Sequence, residues 1–225
     1  MTLRDIHGIG KTKEFELKTH YKINNITSLR KCNKIIPGLL NRSQRLGLKY
    51  YSKIAKKTKR ANATKHVKYI LKKLPNAKIA GSYRREEKMI GDLDVITFLN
   101  ISLAKQKLGL YLVEIFSESD LKLQGIVRVP NTDLYRKIDI IKSTKSDYPF
   151  MLLYLTGDYM QNIIMRRKAK KLGYTLNRYN MYHTKSGKAI KISSEKKIFS
   201  FLRMNYKDPK NRSHKDRKVL QSKYI

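Results

Sequence analysis

The chain has 225 residues, 40% of them apolar, and carries 51 Lys and Arg against 17 Asp and Glu, a formal net charge of +34. Length and apolar content provide for a packed core and exclude a disordered chain, while the charge points to a polyanionic partner, nucleic acid ahead of a membrane surface. No apolar run approaches the roughly 20 residues of a spanning helix; the opening "MTLRDIHGIGKTKEF" lacks the apolar centre of a secretory signal, and the single Cys32 can form neither an internal disulfide nor a zinc cluster, so a reducing intracellular setting is expected.

Residues 1–57 read as helical and loop-rich, with glycines at 8, 10, 38 and 47 and a basic run, "KKTKR", at the end. Residues 58–144 open with "TKHVKYILKKL", in which Val67, Ile70, Leu71 and Leu74 fall at i, i+3, i+4 and i+7 and form one apolar helix face, stopped at Pro75-Asn76. Strands are expected at "KIAGS", at "DLDVITFL" and in a hairpin of "GIVRV" and "KIDII" around Pro130 to Asp133. Between them "SLAKQKLGLYLVEIF" reads as a helix with an ambiguous C-terminal half. The expected architecture is α+β, helices on one face of a small mixed sheet. Residues 145–225 carry "DYPFMLLYLTG" and then a helix, "DYMQNIIMRRKAKKLG", with Asp158 as its cap and Gly173 at its end. The tail from Lys207 is polar and expected to be mobile at its end.

Asp92 and Asp94 are one residue apart, so on a strand they share a face while Leu93 and Val95 take the other. Two carboxylates on one face repel unless a positive charge lies between them. A third, Asp139, lies in a similar apolar setting on another expected strand. Three carboxylates from adjacent strands can hold two Mg2+ ions, with Mn2+ as an alternative, for phosphoryl or nucleotidyl transfer. Alone, the D-x-D pattern reads as an ordinary exposed pair matched to lysines. Eleven residues before Asp92 begins "GSYRR": Gly81 lets a backbone N–H approach a phosphate, the Ser82 hydroxyl can donate to one, and Arg85 can grip its oxygens bidentately.

With these motifs in order, the chain resembles the DNA polymerase X family, the polymerase beta-like branch of the nucleotidyltransferases. "GSYRR" with "GDLDV" resembles its G-S-F-R-R and G-D-M-D-V at the same interval; "KIDII" resembles its third-aspartate strand, "YLTG" its Y-F-T-G, and "SSEKKIF" and "YKDPKNR" its C-terminal motifs. The resemblance implies a nucleotidyltransferase palm with a mixed sheet over 58–144, a helix-hairpin-helix, thumb-like DNA-binding subdomain over 1–57, and an α+β subdomain for the nascent base pair over 145–225. It implies metal binding and catalysis by Asp92, Asp94 and Asp139; triphosphate binding by Gly81, Ser82, Arg85 and Lys57; sugar contacts from Tyr154 and Gly157; base-pair and template contacts from Asn162 and Arg166; and a primer phosphate at Lys137. "IHGIGKTKEF" resembles a helix-hairpin-helix loop in which Gly8, Gly10 and Lys11 meet a DNA phosphate and the carbonyls of Arg4, Ile6 and Ile9 hold Na+ or K+; by itself, G-I-G is equally a simple turn.

The implied function is template-directed, gap-filling DNA synthesis in base excision repair, on gapped or nicked duplex DNA with deoxynucleoside triphosphates, by a monomer working alongside a DNA ligase. The implied location is the nucleus, or the viral factory or virion for a viral chain. Template-independent tailing and a non-catalytic DNA-binding role are the alternatives. Several features depart from the pattern. Six residues precede His7, so the first hairpin helix is at most a turn or two, and no lyase domain precedes it, so no 5′-deoxyribose phosphate lyase activity is expected. Leu155 replaces an aromatic, Asp158 replaces a serine, and Glu86 and Glu87 flank the phosphate-binding arginine, a pattern similar to small repair polymerases of large DNA viruses.

Overall fold

The computed structural model describes residues 2–213, so the last part of the polar tail lies outside the described residues. After a single 3-10 turn at Leu3–Asp5, four helices follow: α1 (Lys11–Thr19), α2 (Ile26–Ile35), α3 (Arg42–Lys49) and α4 (Tyr51–Ile54). Asn25 and Asn41 cap α2 and α3 by accepting from the backbone N–H of Ser28 and Gln44, satisfying donors that a helix start leaves orphaned. Leu3, Ile6, Leu17, Leu29 and Leu40 close a small core between these helices.

The middle of the chain runs β1 (Thr58–Lys59), α5 (Arg60–Lys73), β2 (Lys78–Ile79), α6 (Gly81–Arg84), β3 (Met89–Ile90), β4 (Asp92–Thr97), α7 (Ile101–Leu108), β5 (Leu112–Glu118), β6 (Lys122–Arg128) and β7 (Tyr135–Lys142). Five strands form one sheet in the order β2-β4-β7-β6-β5; β4 and β7 are parallel and the other neighbours antiparallel, which makes the sheet mixed. The chain ends in α8 (Tyr148–Thr156), α9 (Tyr159–Lys171), a ribbon of β8 (Tyr174–Leu176) and β9 (Met181–His183), and α10 (Glu195–Phe201), around Phe150, Leu153, Met165 and Phe199. Asp158 caps α9 through the backbone N–H of Gln161, and Gly173 adopts φ +82° just past its end. No helix among the described residues is long and apolar enough to cross a membrane.

Four local expectations are corrected. The second half of "SLAKQKLGLYLVEIF" is strand: Gly109 at φ +51° ends the helix, and the following run, rich in β-branched and aromatic residues, pairs with β6 as the sheet edge through Leu112, Glu114 and Ile115. "KIAGS" is strand only at Lys78–Ile79, because Gly81 at φ +59° turns the chain into α6. The strand expected from Gly125 starts at Lys122. Leu71 is 37% exposed, and the buried stripe of α5 runs through Ala63, Val67, Ile70 and Leu74 instead.

The sheet also carries helices on both faces rather than one. Leu93, Val95, Ile138 and Ile140 pack with α5 and α7 on the first face. On the second, Ile126 meets Ile54 and Phe116 at one end, Ile96 and Ile141 meet Met151 of α8 at the other, and the aspartates lie between. Buried arginines tie the flanking segments down. Arg136 donates to the carbonyls of Lys56 (2.7 Å) and Lys53 (3.3 Å). Glu195 receives Arg84 at 2.6 and 3.0 Å and the fully buried Arg212 at 2.7 Å, joining α6 to α10.

Candidate active site

The strand pleat puts Asp92 and Asp94 on the open face, and the β4–β7 register sets Asp94 opposite Asp139 and Asp92 opposite Lys137. Asp94 lies against Gly81, where an added Cβ would stand 1.9 Å from the carboxylate Oδ2, so the site tolerates only glycine there. Burial, and then the charges of Asp92 and Asp139, push the Asp94 carboxyl up to about 7; Arg85 and Lys122 oppose this only in part. Asp139 is engaged from β6: the Gln124 amide donates to its two oxygens at 3.0 and 3.1 Å, and the Lys122 ammonium stands 2.8 Å from Oδ2.

These anionic oxygen donors suit a hard divalent cation in type and charge. Among the described residues no three His, Cys, Asp or Glu side chains form a ready-made metal cage. The Lys122 ammonium supplies the counter-charge at Asp139.

Beside the aspartates, the Ser82 hydroxyl is buried without a hydrogen-bond partner. Arg85 donates from Nη1 to the Thr156 carbonyl at 2.6 Å, and its Nε has no hydrogen bond, with Glu87 Oε1 at 3.7 Å. Glu87 accepts from the Ser213 hydroxyl, and Glu86 is exposed at φ +60°. The exposed Lys57 lines a cleft of about 590 Å3 with Arg85, Glu87 and Lys210.

A second cleft, of about 720 Å3, runs from Arg85 and Asp92 to Tyr154, Gly157, Asn162 and Arg166. Asn162 donates to the Tyr154 carbonyl at 2.8 Å, and the Arg166 guanidinium lies 5.3 Å from the Tyr154 ring centroid, so one tyrosine braces both helix residues. A third cleft, of about 420 Å3, lies between the Arg4–Gly10 loop and Lys137. Gly8 takes φ +84° and its carbonyl accepts from Gln44 at 3.0 Å; Gly47 lets α3 approach the His7 carbonyl, which an added Cβ would meet at 2.4 Å. Gly10 precedes α1, whose first residue, Lys11, is exposed. Arg4 pairs with Glu14 at 2.7 Å, and the Ile6 carbonyl accepts from the Ile9 N–H at 3.1 Å. His7 stacks on Phe116 with centroids 3.7 Å apart, and burial, then Lys137, lower its pKa.

Of the sequence-derived residues, Lys57, Arg85, Asp92, Tyr154, Gly157, Asn162 and Arg166 line the first two clefts, which share Arg85, and Arg4, Ile6, Gly8, Ile9, Gly10 and Lys137 line the third, while Gly81, Ser82, Asp94, Asp139 and Lys11 line none of them. Gln124, Lys122, Thr156 and His7 escaped sequence reading. For Gln124 and Lys122 the signal was alternation: both share the parity of Ile126, upstream of the point where the strand was expected to begin.

A family profile described as DNA polymerase beta thumb matches residues 151–213 and so attaches the word thumb to the C-terminal subdomain rather than the helix-hairpin-helix end. Repair DNA polymerase X of African swine fever virus (isolate Warthog/Namibia/Wart80/1980) is 30% identical over 142 residues, 61% of this chain and 81% of the viral protein. DNA polymerase lambda of Arabidopsis thaliana is 28% identical over 211 residues, 77% of this chain and 40% of the plant protein. Two crystal structures of Leishmania infantum polymerase beta share the fold. The ternary gap complex has a TM-score of 0.85 at 25% identity, covering 94% of this chain and 88% of that one; the ternary P/T complex has 0.84 at 26%, covering 94% and 97%.

Proposed function

The chain belongs to the family X DNA polymerases, and on that premise we propose that it fills short gaps in duplex DNA during repair, adding templated deoxynucleotides to a primer 3′ hydroxyl. The observation that carries this reading is the single cleft that joins Asp92 and Arg85 to Tyr154, Gly157, Asn162 and Arg166, with Asp94 and Asp139 beside it on the sheet.

Asp92, Asp94 and Asp139 would hold two Mg2+ ions, which when bound supply Lewis-acid activation and neutralise charge on the transferring phosphoryl group. The buried, unpartnered Ser82 hydroxyl and Arg85, released from the Thr156 carbonyl, hold the triphosphate with Lys57. The primer 3′ oxygen bonds to the α-phosphorus as the bond to the bridging oxygen breaks. Pyrophosphate leaves, and the hydroxyl proton passes to the Asp139 carboxylate. Tyr154 and Gly157 flank the sugar, Asn162 and Arg166 face the base pair and template, and Lys137 takes a primer phosphate. The Gly8–Gly10 loop offers backbone N–H groups to the duplex, with a monovalent cation at the Arg4, Ile6 and Ile9 carbonyls. The net charge of +34 makes binding fall steeply with salt.

The name repair DNA polymerase X of a relative and the gap complex of a structural neighbour support a gapped substrate. The test is Mg2+-dependent extension on a one-nucleotide gap against a single-stranded primer without template. Gap-dependent, templated insertion is expected; equal or greater addition without template would replace this reading with terminal transfer.

A further inference from the structure

We infer that Gln124, oriented by Ser117, is a positioning residue for Asp139: it aims that carboxylate and so sets the affinity of the site for a divalent cation. The inference rests on the reading of Asp139 as a cation ligand. Ser117 pairs with Gln124, Gln124 with Asp139, and Asp139 with Asp94, so the four residues form one row across β5, β6, β7 and β4. A glutamine amide has a donor end and an acceptor end. The Ser117 hydroxyl donates to Oε1 at 3.1 Å, which turns Nε2 toward Asp139, where it reaches both oxygens at nearly equal distance.

The fork fixes the plane of the carboxylate without cancelling its charge, as an orienting partner behind a metal ligand should. Lys122 cannot take that part. Its ammonium touches Oδ2 alone, is one-third exposed, and competes with any cation for the same charge. The edge strand is shaped for this row. A register shift between Ile115 and Ser117 puts Ser117, not Phe116, opposite Gln124, and Phe116 turns instead to stack on His7. Gly125 allows the shifted strand to come close: an added Cβ would lie 2.5 Å from the Glu114 carbonyl oxygen.

The test uses the full chain and the variants Q124L, S117A, S117T and D139N. Mn2+ binding is measured by calorimetry without DNA or nucleotide, alongside the Mg2+ dependence of gap insertion and the nucleotide KM. Q124L is expected to weaken Mn2+ binding about 10-fold to 100-fold and raise the half-saturating Mg2+ to match, with nucleotide KM and melting temperature near wild type. S117A should move both a few-fold in the same direction, and S117T should restore them. Mn2+ affinity and Mg2+ dependence of Q124L within twofold of wild type would overturn the inference. Should Q124L fail to fold, S117A indistinguishable from S117T and wild type overturns it equally. D139N binding Mn2+ as tightly as wild type is a separate result, which removes the underlying assignment of Asp139.

Discussion

On one face of β4 and β7, Leu93, Val95, Ile138 and Ile140 are completely buried with α5 and α7; one residue out of step, Asp92, Asp94 and Asp139 stand on the other face between two apolar patches. The same strands therefore carry both a fully buried apolar face and a cluster of three carboxylates. The first face gains from every methylene removed from water. The second buries a carboxyl beside like charges, which raises Asp94 to about 7 through burial first and then through Asp92 and Asp139, and it persists because the first holds the strands in place. Division of labour by parity lets chemistry sit on rigid backbone at some cost in electrostatic energy.

The sharpest break would come at Asp139. Asp139→Asn is expected to reduce single-nucleotide insertion about a thousandfold or more, ~4 kcal/mol in the barrier, with a melting temperature unchanged or raised. Insertion near the wild-type rate in Mg2+ would erase the functional half of the contrast. Leu93→Ala, one position from the D-x-D pair, should do the reverse: urea unfolding should show a loss of about 2 to 5 kcal/mol, while the insertion rate per folded molecule is kept.

Protons should act oppositely on the two sides. His66, buried on α5 and sharing a 2.8 Å hydrogen bond with the Tyr111 hydroxyl, is held neutral by burial, with a pKa lowered from 6.5 to about 4. Its contribution is complete above pH 6.5 and is lost as pH falls through about 4, on the order of 3 kcal/mol. The raised Asp94 contributes fully below its ordinary 3.8 and loses that contribution as pH rises through about 7. In EDTA the two therefore oppose each other over about pH 4 to 6.5, and Asp94→Asn should unmask the His66 slope, with urea midpoints that rise with pH across that window. Mg2+ should stabilise the wild type more at pH 7.5 than at pH 5. The smallest effect belongs to Leu71→Ala, within about 0.5 kcal/mol by urea unfolding, whereas Ile70→Ala should match Leu93→Ala.

Local spacing determined the aspartate pair, the third aspartate strand, the Gly-Ser turn and the capped helix after Asp158, because pleat, turn and cap depend on residues a few positions apart. The edge strand at Leu112–Glu118 was hidden behind an apolar run that also fits a helix, and only pairing with β6 decides between them. Leu71 misled because spacing marks a stripe but not its edge. The Ser117–Gln124–Asp139 row and the Arg84–Glu195–Arg212 cluster belong to the tertiary structure alone. The row forms because the register of β5 on β6 and of β6 on β7 puts its partners opposite one another, and the cluster because burial forces distant charges to find one another.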